Sequence, residues 1–370
     1  MRRFLLILLC LAALSSCTAV TLGSGTTGAL ERVEPKQPYA PEQPRSLTRL
    51  TGTANNEACA RWSVCGTDLG IPYLRRDGSV GITFGDTFSS PTPDSGNGWR
   101  SPVILHSSSD PKHQMIQFDD AAGIQGDGYT PEVTHNGHNS GGEVSAIPND
   151  VVVLPDGRQV MSLQSVSGWP PGTWTTNYSE LALSTDDGNS FHRTGVRWGS
   201  RGGRSATQMV SMQLDGDYVY MIGVRAGRVD GPMFLRRVPW RDILTPTAYR
   251  CWNGTKWTTT CTRGILRGRF GEPSLRKLQD GTWVMAYFDL TTGAIVTRYT
   301  DKPTGQWSAP TVQVTYHELD FLYGGFIHPL STKNNLTLMV SSWQRHSGVT
   351  HRYDVSQLSG LSIYPSPRKE

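Results

Sequence analysis

One short phrase recurs along this chain and limits its fold more than any other feature. An apolar or mixed stretch leads into a turn, often Asp-Gly, and an alternating strand rich in β-branched, Met and aromatic residues follows. It reads Tyr73-Leu-Arg-Arg-Asp77-Gly78 before Val80-Gly-Ile-Thr-Phe84, then Val153-Leu-Pro-Asp156-Gly157 before Val160-Met-Ser-Leu163. It returns as Met212-Gln-Leu-Asp215-Gly216 before Tyr218-Val-Tyr-Met221 and as Leu278-Gln-Asp280-Gly281 before Trp283-Val-Met-Ala-Tyr287. A fifth copy places Asn334-Asn335 before Leu336-Thr-Leu-Met-Val340. Asp-Gly between alternating runs is a hairpin signal, and the type I′ turn expected there needs positive φ at both central residues. Five hairpins at intervals of roughly 55 to 80 residues predict an all-β chain folded as a five-bladed β-propeller. A β-sandwich is the rival, but it does not predict a hairpin phrase repeated at blade length.

A second local signal supports this. Ser184-Thr-Asp186-Asp-Gly188-Asn-Ser190-Phe191 resembles the Asp-box hairpin turn of sialidases and other propellers, where Asp and Ser side chains bond to backbone and an aromatic packs beneath. The turn from Thr300-Asp301 to Gly305-Gln-Trp307 and the Trp252-to-Trp257 hairpin read as related structural devices.

The chain begins with Arg2 and Arg3, an apolar run from Phe4 to Leu14, and Ser15-Ser16 before Cys17. That is the layout of a secretion signal, and the run is shorter than the ~20 residues of a membrane span. Leu14-Ser15-Ser16-Cys17 resembles a bacterial lipobox, so residues 1–17 are expected to be a signal ending at a lipidated Cys17, holding the protein at a membrane. Residues 18–45, rich in Gly, Thr, Pro and charge without apolar periodicity, read as a flexible tether, and 46–370 as the propeller domain.

Cys59 with Cys65 and Cys251 with Cys261 form two close pairs, expected as disulfides in an exported chain. Neither pair has zinc-like spacing, so no metal or cofactor is expected. The net charge of +4 is small for 370 residues and no basic aromatic cluster stands out, which argues against a nucleic-acid partner. Nothing in the sequence points to an oligomer, and a monomer is expected.

In a propeller the inner strand of each blade starts near the central channel, so polar residues upstream of the five turns should converge on one face. These include Asp68, Glu143, Gln208, Glu272 and the segment Tyr323-Gly324-Gly325-Phe-Ile-His328. Carboxylates and amides heading apolar strands suit a carbohydrate site. Asp68, in Gly66-Thr67-Asp68-Leu69-Gly70, and Asp86, in Phe84-Gly85-Asp86-Thr87-Phe88, lie about equally far from the Asp77-Gly78 turn. They should therefore meet at one end of adjacent strands, and a carboxyl pair with one member protonated is what glycosidic cleavage needs. Glu143, Arg204, Gln208, Glu272, Tyr323 and His328 are candidate substrate-binding residues, and Trp169 and Trp174 are candidates for stacking on sugar rings or packing against a blade edge.

The phrases Thr67-Asp68-Leu69-Gly70 and Gly78-Ser-Val-Gly-Ile-Thr-Phe-Gly85-Asp86-Thr87-Phe88 resemble the opening of the endo-D-arabinanases of glycoside hydrolase family 183. The resemblance continues through Glu143-Val-Ser-Ala-Ile-Pro148, Phe270-Gly-Glu272-Pro273-Ser274-Leu275 and Tyr323-Gly324-Gly325, and so spans most of the chain after the tether. It implies a five-bladed propeller that cuts α-linked D-arabinofuranose polymers of mycobacterial-type cell walls, with Asp68 and Asp86 catalytic. Asp68 would then be the acid and Asp86 the nucleophile or base, in an assignment that can be reversed. The alternative is a non-catalytic propeller lipoprotein that binds wall polysaccharide or a protein. A sialidase fits poorly, because no set of three arginines stands out.

Overall fold

The computed structural model describes residues 44–53 and 56–365. The expected signal, Cys17 and nearly all of the tether lie outside them. The described residues form five small antiparallel sheets, arranged as a five-bladed propeller. Blade I consists of Gly66–Leu74, Val80–Phe88, Val103–Ser107 and Asp120–Ala121; blade II of Ser145–Val153, Gln159–Gly168, Thr175–Ser184 and His192–Gly199. Blade III has Met209–Asp215, Tyr218–Val224 and Asp230–Pro239, extended by the short Arg250–Trp252, Trp257–Thr258 and Leu266–Arg269. Blade IV has Ser274–Lys277, Trp283–Asp289, Ala294–Thr300 and Thr311–Thr315. Blade V takes Leu322–Ile327, Leu336–His346 and Val349–Leu361 and receives Ser46–Arg49 as its outermost strand, so the N-terminal strand closes the ring.

Each repeated phrase is the hairpin between a blade's first and second strands, but the turn chemistry differs from expectation. Gly78, Gly157, Gly216 and Gly281 all have positive φ, whereas none of the preceding aspartates does, so these are not type I′ turns. In three of them a backbone bond closes over the Asp-Gly pair, as in Gly157 N to Leu154 O (2.9 Å) with Leu154 N to Arg158 O (2.8 Å). This is the pattern of a type I turn followed by a left-handed glycine. The aspartate instead accepts from the backbone two residues on, as Asp77 does from Ser79 N at 3.0 Å. At Asp215-Gly216 the loop is Gly216 and Asp217, with Asp215 paired to Tyr218, which puts Gly at the first central position.

The Asp-box is the local clamp that its sequence suggested. Asp186 accepts from Ser190 N (3.0 Å) and Ser190 Oγ (2.6 Å), Ser184 Oγ takes Gly188 N (2.9 Å), and Phe191 is buried.

Between blades, apolar side chains fill the wedges, with Trp62, Trp283, Phe84 and Phe326 among the largest fully buried. The channel is crossed by an ion pair. Arg276 of blade IV grips both oxygens of Asp150 of blade II at 2.9 Å and donates to Pro72 O of blade I at 2.6 Å. Asp150 also accepts from Ser211 Oγ and Met212 N of blade III. Four inner strands are thereby tied at one point. The cysteines pair as expected, Cys59 with Cys65 and Cys251 with Cys261. Two disulfides fit an exported chain. Among the described residues no helix is long and apolar enough to cross a membrane.

Candidate active site

The inner strands all begin at one face, the mouth, and the five hairpin turns lie at the other. Blade I brings two carboxylates to the mouth because one hairpin joins their strands. Thr67 pairs with Thr87 and Leu69 with Phe84, and the register shift between them leaves Asp68 opposite Gly85 and Asp86. Gly85 makes room here: a Cβ at that position would stand 2.3 Å from Asp68 Oδ1 and would push that carboxyl aside. Absence of a side chain at residue 85 is what lets the first carboxyl lie against the second strand.

The two carboxyls have different surroundings. Asp68 Oδ2 accepts from the Tyr323 hydroxyl at 2.7 Å, and Oδ1 is buried without a hydrogen-bond partner. Burial, reinforced by the charge of Asp86, pushes Asp68 up to about 8, while Tyr323 and Tyr353 hold it lower than burial alone would. Its carboxyl is therefore protonated at neutral pH. Asp86 Oδ1 accepts from Trp99 Nε1 at 2.8 Å and from Ser145 Oγ at 2.7 Å. Burial raises Asp86 as well, but these two donors and the nearby His138 oppose the shift. His138 packs edge-on against Trp99 (4.9 Å between ring centres) and bonds Glu132 at 2.7 Å, which fixes the indole that serves Asp86.

Glu272 and Tyr323 join this group. Glu272 sits where blade IV meets Gly324 of blade V in an isolated parallel bridge, and its carboxylate pairs with Arg228 at 2.5 Å. The Arg228 guanidinium lies over the rings of Trp174 (4.8 Å) and Tyr323 (5.2 Å). A continuous set thus runs from Trp174 through Arg228 and Tyr323 to Asp68.

The other candidates are held elsewhere. Both oxygens of Glu143 are taken by Arg193, at 2.8 and 2.9 Å, and by Gly137 N; burial alone would raise this carboxyl, but Arg193 brings it below its usual range. Gln208 is fully buried, accepting from Thr176 Oγ1 and donating to Trp198 O. His328 lies past the far end of its inner strand, where burial pushes it down to about 3 and keeps it neutral; its Nδ1 accepts from Leu330 N. Arg204 is exposed in the Gly-rich turn between blades II and III. Trp99, Ser145, His138, Arg228 and Tyr353 belong to the group but do not announce themselves in sequence, because each reaches the mouth from a separate loop or strand. Among the described residues no cluster of His, Cys, Asp or Glu is arranged to hold a metal ion.

What this arrangement can do is proton transfer: a protonated carboxyl and a second carboxyl held by two hydrogen-bond donors face the same opening. Among solved structures, a candidate hydrolase from Bacteroides ovatus superposes with a TM-score of 0.55 at 15% identity, over 81% of this chain and 86% of that one. An exo-β-1,3-galactanase from Phanerochaete chrysosporium with galactose gives 0.53 at 11% identity, over 85% and 64%. At such identities the likeness is one of fold. In sequence, Notoamide biosynthesis cluster protein J' of Aspergillus versicolor is 45% identical over 80% of this chain and 85% of its own. An uncharacterized 35.9 kDa protein of Mycolicibacterium smegmatis is 28% identical over 85% and 97%. The model of a domain of unknown function, DUF4185, matches residues 53–359, which takes in all five blades and both aspartates, and the chain belongs to that family.

Proposed function

We propose that this protein is an endo-acting glycoside hydrolase that cleaves α-D-arabinofuranosyl linkages of mycobacterial-type wall arabinan, with Asp68 as general acid and Asp86 as nucleophile or base. The observation that carries the reading is the divergence of the two carboxyls. Asp68, pushed to about 8, holds the proton a departing glycosidic oxygen needs. Asp86 has two hydrogen-bond donors that favour its ionised form. The propeller is also the fold of a galactanase, and one relative comes from a mycobacterium. The family likeness of the Thr67-Asp68-Leu69-Gly70 and Gly85-Asp86-Thr87-Phe88 phrases supplies the choice of sugar. Export, lipidation at Cys17 and tethering at the envelope belong to the same proposal, since they would hold the mouth within reach of wall polymer.

The test is digestion of purified mycobacterial arabinogalactan by the protein without residues 1–17, with released oligosaccharides followed by chromatography. Oligosaccharide release that disappears in Asp68→Asn and Asp86→Asn supports the reading. Absence of products refutes it in favour of a non-catalytic propeller, and products undiminished in both variants refute the two-aspartate mechanism.

A further inference from the structure

Large aromatic side chains left exposed in a folded chain are informative when they share one place. Among the described residues five are exposed, Tyr129, Trp169, Tyr316, Phe321 and Trp343, between 46 and 55% accessible except Trp343 at 42%. All five lie on loops or strand ends of the mouth face, and none is at the hairpin-turn face. Phe321 and Trp343 are neighbours at blade V, where Trp343 N donates to Phe321 O at 3.2 Å, and Tyr129, Trp169 and Tyr316 stand on other blades.

Two of them are coupled to Asp68 through other rings. Trp343 stands on the second strand of blade V, opposite Tyr353 in register and 6.1 Å from its ring. Tyr353 in turn faces the Asp68 carboxyl. These strands run past the inner strand as a two-stranded flap, and the flap is fixed over blade I by Thr350, whose N and Oγ1 donate to Asp94 at 2.7 and 2.8 Å. On the other side, Trp169 of blade II lies 6.2 Å from Trp174, the ring that Arg228 covers on its way to Tyr323 and Asp68. Blade I sits between blades V and II in the ring, so the catalytic pair has one braced, exposed tryptophan on each side.

We infer that Trp343 and Trp169 are sugar-stacking subsites on opposite sides of the cleavage point, and that the mouth binds an uncharged polysaccharide along its length, across blades V, I and II. An indole offers the C–H face of a sugar ring a flat apolar surface, and each of these two is backed by a second ring that limits its rotation. A site that needed only a chain end would require one such platform. Two platforms, one on each flank, match a substrate that continues in both directions. The inference rests on the glycoside hydrolase reading and extends it by placing the outer sugars.

The experiment uses the protein without residues 1–17 and the variants Trp343→Ala, Trp169→Ala and Trp343→Phe. With arabinan as substrate, each alanine variant raises KM by about tenfold, the usual scale for removing a central aromatic contact, with a much smaller change in kcat. The penalty grows with the length of the oligosaccharide offered, and Trp343→Phe restores most of the affinity. A rise in KM independent of substrate length, or no rise in either alanine variant, overturns the inference while leaving the hydrolase reading intact. Binding is measured separately, as quenching of tryptophan fluorescence by arabinan. If the wild type cleaves nothing, the hydrolase reading fails, yet quenching that is lost in both alanine variants still supports the platforms. No quenching at all overturns them.

Discussion

Asp68 in blade I and Asp150 in blade II both stand on inner strands of the same ring, and both are carboxylates largely removed from water. Asp150 meets a guanidinium with two matched hydrogen bonds, plus a hydroxyl and a backbone N–H, so its charge is answered on all sides. Asp68 has no cation against it. One oxygen takes the Tyr323 hydroxyl, the other is buried without a hydrogen-bond partner, and the charge that acts on it most strongly is that of a second carboxylate. The comparison teaches that burial alone does not make a reactive group. A buried carboxylate met by a cation ties blades together, whereas one with no cation against it keeps its proton at neutral pH, the property that the proposed acid needs.

The largest expected effect tests the reactive half of that comparison. Asp68→Asn and Asp86→Asn should each lower kcat on arabinan by about a hundredfold to ten-thousandfold, the range for loss of a positioned acid or base. Their melting temperatures should not fall. Asp68 has a folded pKa of about 8 against an ordinary value of 3.8, so the folded chain binds more protons between these pH values. Stability from this group is present below pH 4 and is lost as pH rises through 8. Asp68→Asn removes that decline, and urea titrations across the interval would show it. A variant as pH-dependent as the wild type would contradict the unpaired state of Asp68.

Arg276→Met probes the other half. It leaves Asp150 buried without its cation and should cost about 3–5 kcal/mol in urea unfolding. A loss of activity without loss of stability there would mean that the channel pair is not the structural tie described.

Gly85→Ala is expected to come next, lowering kcat by about tenfold to a hundredfold with a small stability change, because the methyl group must displace Asp68 Oδ1. Unchanged kinetics would show that the carboxyl has room to spare. The smallest effect belongs to Tyr323→Phe. Removing this donor takes away a bond that favours the ionised form, so Asp68 should keep its proton to higher pH. The alkaline limb of the pH–rate profile should then move upward, and a downward shift would contradict the bonding scheme.

How much of this was legible in the sequence follows from how locally each feature is specified. The blades were legible because a hairpin turn is set by a few adjacent residues, even though the turn type was not: glycine takes the positive φ alone and aspartate caps the turn. Asp68 and Asp86 were legible as a pair because one hairpin joins them. The rule that polar residues ahead of inner strands converge on the mouth held for Tyr323 and Glu272. It did not hold for Glu143 and Gln208, because position at a strand's start does not fix the direction of a side chain. Glu143 turns to Arg193 on the outermost strand of its blade, and Gln208 is consumed by Thr176 and Trp198. Trp99, His138, Arg228 and Tyr353 carry no local signature, since their roles exist only once three blades and their loops have closed around Asp68.

Closure of the ring by Ser46–Arg49 also fixes the face at which the chain enters the propeller. Ser46 pairs with Ser359, near the end of the last strand and at the hairpin-turn face, so the polypeptide enters the ring on the side away from the aspartates. Coupling to a resin at Ser46 itself therefore leaves the mouth directed at the surrounding medium, and material immobilised that way should digest soluble polymer as well as the free protein does.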